Sequence, residues 1–169
     1  MSAALALLAR QFLDTKARID EITGQIREAA ETDEQARLLQ TMPGIGPITA
    51  SALVAHIADT SAFRTARDLP AWPGLTPQPH SSDGKHRVGA ISKMGNRSPG
   101  RLLQLGAMGA ISARRKAGEQ RDWLGRILAA KPAKVAAIAG KPHWQNAFAN
   151  RMARAIWAML RTGEVWRPV

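Results

Sequence analysis

A short run of prolines and glycines interrupts two helical patterns and constrains the fold more than any other feature of the sequence. Apolar residues follow helical spacing up to Leu39, and the spacing resumes at Ala50. The segment Met42-Pro-Gly-Ile-Gly-Pro47, here called the glycine hairpin, cannot continue either helix, because proline lacks an amide hydrogen and its ring clashes with the preceding turn. The sequence therefore predicts a helix-hairpin-helix over about residues 36–58.

The composition of the glycine hairpin is typical of an anion-binding site. Gly44 and Gly46 permit positive φ and close backbone approach, so consecutive N–H groups can be exposed at the start of the second helix. The helix dipole favours an anion at that end. Such a motif holds a DNA phosphate without reading bases, which makes Gly44, Ile45 and Gly46 candidate DNA-binding residues. A tight corner between two helices that binds no ligand is the alternative.

Positive charge is concentrated after the first 34 residues. The net charge is +11, and residues 1–34 contain seven acids and four bases, whereas the remainder contains twenty bases and six acids. A folded region this basic is typical of proteins that bind nucleic acid. The absence of cysteine excludes disulfides and thiolate metal sites. The sequence contains no apolar run long enough for a transmembrane helix, so we expect a cytoplasmic protein without a membrane partner.

Apolar residues repeat three and four positions apart over residues 1–30, in an a/d heptad pattern broken once. The series is Leu5, Leu8, Phe12, Thr15, Ile19, Ile22 and Ile26. It predicts that residues 1–34 form a coiled-coil-type linker helix that packs against another helix, and an amphipathic helix lying on its own domain is the alternative. Residues 35–169 are predicted to form one compact, mainly α-helical domain.

Three segments of this domain have recognisable patterns. Residues 69–100 are rich in proline and glycine, which predicts an irregular loop with at most one short hairpin. From Arg101 to about Arg115, apolar residues occur nearly all round the helix, which predicts a buried helix. A shorter helix is expected from Trp123 to Ala130. The last helix, from about Ala147 to Arg161, has an apolar stripe that contains Ala149, Met152, Ala153, Ile156, Trp157 and Leu160, with Arg151, Arg154 and Arg161 on the opposite side.

Two adjacent serines stand in a polar stretch that is rich in cations. Ser81 and Ser82 are followed by Lys85, Arg87, Lys93 and Arg97. An exposed hydroxyl beside cations can attack a phosphodiester, because the cations stabilise the charge of the transition state. A solvated loop is the alternative, since serine–glycine turns beside lysines are common. His80 and His86 match no familiar metal pattern and the acids beyond residue 34 are scattered singly, so we expect no metal site in this chain.

These motifs together resemble the C-terminal transposase domain of the insertion-sequence 110 family, whose relatives include the Piv DNA invertase. The matching segments follow one another in the family's order over residues 35–166, and among them are Leu39-Gln-Thr-Met-Pro-Gly-Ile-Gly-Pro, Gly74-Leu-Thr-Pro, His80-Ser-Ser-Asp-Gly-Lys, Ile91-Ser-Lys-Met-Gly-Asn-Arg and Ala149-Asn-Arg-Met-Ala-Arg. The resemblance implies that DNA is cleaved and rejoined through a covalent protein–DNA intermediate, with a structured RNA as guide. Ser82 matches the family's nucleophile, and its neighbour Ser81 is the less favoured candidate.

The resemblance also implies partners and a second domain. Family members bind Mg²⁺ through an acidic N-terminal RuvC-like domain, so Mg²⁺ is expected only there. The helix of residues 1–30 resembles the coiled coil that joins the two halves, which implies a homo-oligomer or a hetero-oligomer with a full-length transposase. The cations near Ser82, together with Arg151 and Arg154, are expected to contact DNA.

Several positions depart from the family's pattern, namely Pro73, Asp83, Ala90 and Pro99-Gly100. Asp83 places a negative charge directly after Ser82, where a phosphate has to approach. The acidic half of the family is also missing, because Met1 begins inside the segment that resembles the coiled coil, and we therefore expect a truncated copy that is inactive alone. One alternative is a non-catalytic, basic helix-hairpin-helix module left from a decayed element. Another is a protein that acts through residues 1–30 and blocks the oligomers of an intact transposase.

Overall fold

The computed structural model describes residues 3–79, 88–92, 94–117 and 148–167, and these are mainly α-helical, as predicted. The short helix expected at residues 123–130 lies outside them. The elements in chain order are α1 (Ala3–Thr32), α2 (Glu34–Gln40), α3 (Pro47–His56), a 3₁₀ turn (Thr60–Ala62), α4 (Asp68–Ala71), β1 (Pro77–Pro79), β2 (Val88–Ile91), α5 (Arg97–Ala117) and α6 (Phe148–Thr162). None of the described helices combines the length and the apolar character that a membrane span requires.

Helix α1 is long, and its C-terminal end is the part that joins the core. Ala30 is buried, whereas the predicted seam is exposed from Leu5 to Ile22. Asp33 is the N-cap residue of the next helix: its carboxylate accepts a hydrogen bond of 2.8 Å from the amide of Ala36. The side-chain amide of Gln40 donates to the Ala30 carbonyl at 3.1 Å and ties α2 to α1. A domain boundary at residue 34 stays a prediction.

The core lies where α2, α3, α5 and α6 meet. The largest fully buried apolar side chains include Leu39, Leu53, Leu69, Leu103, Ile111 and Ile156. Burying a side chain of this size contributes about 1.5–3 kcal/mol. On α6 the predicted stripe is confirmed for Ala149, Met152, Ala153 and Ile156, which are buried. The indole N–H of Trp157 donates to the Phe63 carbonyl at 2.9 Å, which holds the loop after the 3₁₀ turn against α6.

The proline- and glycine-rich segment is more regular than the sequence predicts. It contributes α4 and an antiparallel pair of short strands in which Pro77 faces Ile91 and Pro79 faces Val88. Helix α5 begins at Arg97 rather than at Arg101. The side-chain oxygen of Asn96 accepts a hydrogen bond of 3.2 Å from the amide of Ser98 and supports this early start. The proline at position 99 falls in the first turn, where proline is tolerated.

Helix α5 is amphipathic, and the prediction that it is buried all round is wrong. Leu103, Ala107 and Ile111 are buried, but Leu105 is 65% exposed. Only one side of the helix packs against α3 and α6. The sequence could not reveal this, because alanine and glycine are small enough to suit either side and the leucines do not mark a single stripe.

Candidate nucleic-acid interface

The amino end of α3 lies at the surface and presents backbone amides. Gly46 is the N-cap residue, and Pro47 occupies the first turn. The first helical hydrogen bond runs from the Ala50 amide to the Gly46 carbonyl at 2.9 Å. The amides of Ile48 and Thr49 therefore precede the hydrogen-bond ladder and lie at the positive end of the helix dipole. Because Ile48 is 43% exposed, this end of the helix is open to an anion from outside.

Gly44 holds the glycine hairpin against α5 by direct contact between backbones. Its φ of 91° lies in the left-handed region that favours glycine. A Cβ on Gly44 would lie 2.3 Å from the Gly106 carbonyl oxygen, and a Cβ on Gly106 would lie 2.4 Å from the Gly44 carbonyl oxygen. Neither residue can carry a side chain unless α5 and the hairpin move apart. The contact therefore fixes the hairpin on the body of the protein.

Gly46 differs from Gly44, because it does not use the positive φ that glycine permits. Its φ is −94° and its ψ is 176°, an extended conformation that any residue adopts. A Cβ on Gly46 would meet nothing within 4 Å. The protein itself has no steric need for glycine here, and free space lies in front of the amino end of α3. Ile45, in contrast, is buried, and its amide donates to the Met42 carbonyl at 3.0 Å.

The predicted catalytic serine and most of its neighbouring cations lie outside the described residues. This applies to His80, Ser81, Ser82, Lys85, His86, Arg87 and Lys93. Leu75–Thr76, the two residues that lead into β1, are here called the hairpin root. The Ser92 amide donates to the Thr76 carbonyl at 2.9 Å, which closes the base of the strand pair.

The hairpin root is anchored to α6 by Asn150. This side chain is 2% exposed, and its amide nitrogen lies 3.5 Å from the Leu75 carbonyl oxygen, to which it donates. The Leu75 amide donates in turn to the Pro70 carbonyl at 2.9 Å. Buried polar groups need hydrogen-bond partners, so Asn150 fixes where the strands leave the core. Asn150 was not predicted as a site residue, although a lone polar residue inside an apolar stripe is a signal for such a role.

The amino end of α5 docks on the turn that precedes the hairpin root. A Cβ on Gly95 would lie 2.0 Å from the Trp72 carbonyl oxygen, and Gly95 has a φ of 120°. A Cβ on Gly100 would lie 2.9 Å from the Pro73 carbonyl oxygen. Two of the departures from the family's pattern, Pro73 and Gly100, are therefore in contact with each other. Helix α5 contacts the turn before the hairpin root at one end and the glycine hairpin further along.

The structure places the remaining predicted cations on two helices. Arg97 is exposed in the first turn of α5, whereas Arg151 and Arg154 are half-buried on α6. Arg101 and Lys116, also exposed on α5, were missed because that helix was predicted to be buried. The signal in the sequence was the complete absence of acidic residues from α5.

Acidic side chains in the described ranges form no metal site. No group of three or more His, Cys, Asp or Glu residues in this part of the chain is arranged to hold a metal ion. Asp59 instead caps the 3₁₀ turn. The hydroxyl and the amide of Ser61 donate to its carboxylate and hold the pKa of Asp59 below its usual range. These two hydrogen bonds account for the position of the Asp59 carboxylate without a bound metal ion.

Comparison with known proteins identifies the family. The model of the transposase IS116/IS110/IS902 family matches residues 36–122, which run from α2 beyond the end of α5. The chain is 36% identical over 169 residues to a Pseudomonas aeruginosa protein named "Probable family 20 transposase", covering 99% of this chain and 48% of that protein. It is 32% identical over 150 residues to the transposase for insertion sequence element IS1328 of Yersinia enterocolitica, covering 88% of this chain and 42% of that protein.

A shorter match reaches a protein with a different name. Over 74 residues, 43% of this chain and 23% of the relative, the sequence is 36% identical to the pilin gene-inverting protein of Moraxella bovis. The chain spans less than half the length of these curated relatives. The family match includes the glycine hairpin, the hairpin root and α5, whereas Asn150 and the rest of α6 lie beyond it. This chain belongs to the transposase IS116/IS110/IS902 family.

Proposed function

We propose that this chain is the DNA-contacting, serine-bearing part of a transposase that cuts and rejoins DNA strands. Membership of the family and a net charge of +11 support the proposal. The observation that carries it is the exposed amino end of α3, where free space faces Gly46 and two amides precede the helical ladder. A phosphate group fits this combination of donors, dipole and space.

In this proposal the two glycines of the hairpin have different tasks. Gly44 is a structural residue, because its backbone lies against Gly106. Gly46 leaves room for a phosphate, whose oxygens accept hydrogen bonds from the amides of Ile48 and Thr49. The contact involves only the DNA backbone, so it contributes affinity and orientation and no choice of base.

Strand cleavage is assigned to Ser82, with Ser81 as the less favoured neighbour. The serine hydroxyl gives up its proton as its oxygen attacks the phosphorus, a bond from phosphorus to one DNA oxygen breaks, and that oxygen takes up a proton and leaves as a hydroxyl. A phosphodiester between serine and DNA results, and attack by another DNA hydroxyl reverses the step and frees the serine. Lys85, Arg87, Lys93 and Arg97 balance the charge of the transition state.

The acidic residues of the described ranges do not fit a metal site, and no metal step is assigned to this chain. The resemblance assigns Mg²⁺ to an acidic N-terminal domain, which we expect to act together with this one. The exposed seam of α1 gives a route to such a partner, since Leu5, Leu8 and Phe12 are more than half exposed. We infer that this seam pairs with the same helix of another copy or of a full-length transposase, in a complex that a guide RNA directs.

The substitution Gly46→Ser tests the phosphate site, because it should lower the affinity for DNA without lowering the free energy of unfolding. Serine is a favoured N-cap residue, and its hydroxyl would accept hydrogen bonds from the amides at the start of α3. The free energy of unfolding should stay equal or rise by a few tenths of a kcal/mol. The affinity for a mixed-sequence DNA duplex should fall, because the same amides no longer face the phosphate. Fluorescence anisotropy of labelled DNA and thermal unfolding measure the two effects.

Gly24→Ala is the matched control for this experiment. Gly24 lies on α1, and a Cβ there would also meet nothing within 4 Å. This variant should be more stable, with unchanged DNA affinity. Equal affinity of the Gly46→Ser variant and the unchanged protein, or no binding of duplex DNA by the unchanged protein at low ionic strength, would refute the phosphate site.

Ser82→Ala separates the catalytic proposal from its alternative. In a reaction supplemented with the acidic half of a relative, the unchanged chain should form a covalent adduct with nicked DNA, and Ser82→Ala should form none while DNA binding persists. Ser81→Ala serves as the comparison. The negative charge of Asp83 beside Ser82 favours the alternative of a binding module without catalysis. DNA binding without any adduct from the unchanged chain would support that alternative, whereas an adduct that Ser82→Ala leaves unaffected would refute the role of Ser82.

A further inference from the structure

The side of α5 that faces away from the core carries cations, small residues and one leucine. Among those exposed are Arg97, Arg101, Leu105, Gly109, Ser112 and Lys116, here called the outer face of α5. The helix contains five basic residues and no acid over its 21 residues. No cation on this face can therefore form an ion pair within its own helix, where acids four residues away are the usual partners.

The outer face adjoins the glycine hairpin. Gly106 packs against Gly44. At about 3.6 residues per turn, the positions of Leu105 and Gly109 lie about 100° and 60° away from Gly106 around the helix axis, both on the same side. A Cβ on Gly109 would meet nothing within 4 Å, so the surface between the hairpin and the row of cations is low and open. A rod-shaped ligand seated on the amino end of α3 can therefore reach the outer face.

We propose that the outer face of α5 is a second contact for the DNA backbone and that it extends the phosphate site of the glycine hairpin. This proposal rests on the DNA-binding function argued above. From Arg97 to Lys116 the helix is about 28 Å long, which is about eight nucleotide steps at about 3.4 Å each. Arg101 and Lys116 contact phosphates, while Gly109 and Ser112 leave room for the sugar–phosphate chain.

The charge and shape of this face favour nucleic acid over a protein partner. The centres of protein–protein interfaces are enriched in aromatic residues and depleted of charged residues as a class. The outer face has a single large apolar side chain, Leu105, which is 65% exposed and stands among cations. With no acid on the helix, the matching surface has to be negative along its whole length, and the phosphate backbone of a duplex meets that condition.

The double variant Arg101→Gln/Lys116→Gln tests the proposal in the full chain. Each phosphate contact contributes about 0.9 to the slope of log affinity against log salt concentration. Removal of two contacts should reduce the slope by about 1.8, so between about 50 and 200 mM salt the unchanged protein should lose about tenfold more affinity than the variant. Anisotropy with a mixed-sequence DNA duplex gives both slopes.

Arg10→Gln/Arg18→Gln on α1 is the matched control, because it removes the same charge from exposed positions of another helix. It should leave the slope unchanged. A second variant, Leu105→Glu, places an acid at the centre of the outer face and should weaken DNA binding without loss of helix content by circular dichroism.

The outcomes distinguish the two proposals. If the Arg101→Gln/Lys116→Gln variant keeps the salt slope of the unchanged protein while Gly46→Ser weakens DNA binding, the proposal for the outer face is overturned and the phosphate site stands. An equal decrease in the slope for the α1 control also overturns it, since general charge would then explain the effect. No DNA binding by the unchanged protein overturns the proposed function itself.

Discussion

The contact between Gly44 and Gly106 can be tested through a substitution that would stabilise an ordinary helix. Replacement of glycine by alanine inside a helix stabilises it by about 1 kcal/mol, because glycine loses more backbone freedom on folding. At position 106 the new Cβ would lie 2.4 Å from the Gly44 carbonyl oxygen. That oxygen belongs to a backbone and cannot turn aside like the end of a side chain. Overpacking of this kind costs about 1–3 kcal/mol, and we expect the upper end of that range.

The net effect of Gly106→Ala should therefore be a loss of about 2 kcal/mol in the free energy of unfolding. Gly109→Ala is the matched comparison on the same helix, because its Cβ would meet nothing within 4 Å. It should gain about 1 kcal/mol. The two variants should differ by about 3 kcal/mol, which corresponds to roughly 6–12 °C in Tm for a chain of this size.

Denaturation of the full chain in urea, followed by circular dichroism and tryptophan fluorescence, measures both variants under the same conditions. Gly106→Ala should also bind DNA more weakly, because the amino end of α3 shifts with the hairpin. Gly109→Ala should keep its gain in stability whether or not its affinity for DNA changes. If Gly106→Ala proves as stable as Gly109→Ala, the two backbones are not in contact and the reasoning about the hairpin fails.

Three further predictions concern the elements that surround the site. Asp33→Ala should lower the free energy of unfolding by about 1 kcal/mol through loss of the N-cap, and Asp33→Asn should restore it in urea denaturation. Asn150→Leu leaves the buried Leu75 carbonyl without its donor and should cost about 1–3 kcal/mol, with faster amide hydrogen exchange at the hairpin root than at α2. For Asp59, whose pKa is lowered by Ser61, the cap stabilises the 3₁₀ turn above the unfolded-state pKa and is lost as pH falls through the lower folded pKa. Ser61→Ala should raise that pKa in an NMR titration, and an unchanged value would contradict the assignment.

Local signals in the sequence were sufficient for the helices that have clear boundaries or one clear stripe. The heptad spacing predicted α1, and the apolar series predicted α6. Each of these signals acts over fewer than about five residues, the range of contacts along one helix. Secondary structure of this kind can be predicted because the interactions that cause it are encoded by near neighbours.

The features that build the site depend on residues far apart in the chain. Gly44 and Gly106 each need glycine because of the other, and no local pattern contains that information. For the same reason the sequence could not distinguish Gly44, which has positive φ, from Gly46, which does not. The outer face of α5 was missed because small residues suit a buried or an exposed side equally, and only packing against α3 and α6 decides between them.

Helix α5 links the two parts of the proposed site through contacts that exclude side chains. Gly100 lies against Pro73 beside the hairpin root, and Gly106 lies against the glycine hairpin. Six residues separate them, or about 9 Å of helix, and a helix does not stretch over that distance. If DNA binds as proposed, a strand at the amino end of α3 would meet the base of the strand pair at a fixed spacing of a few nucleotides, at about 3.4 Å for each step. In that proposal, two glycine contacts on one rigid helix set the position of cleavage by Ser82 relative to the bound phosphate, without any contact to a base.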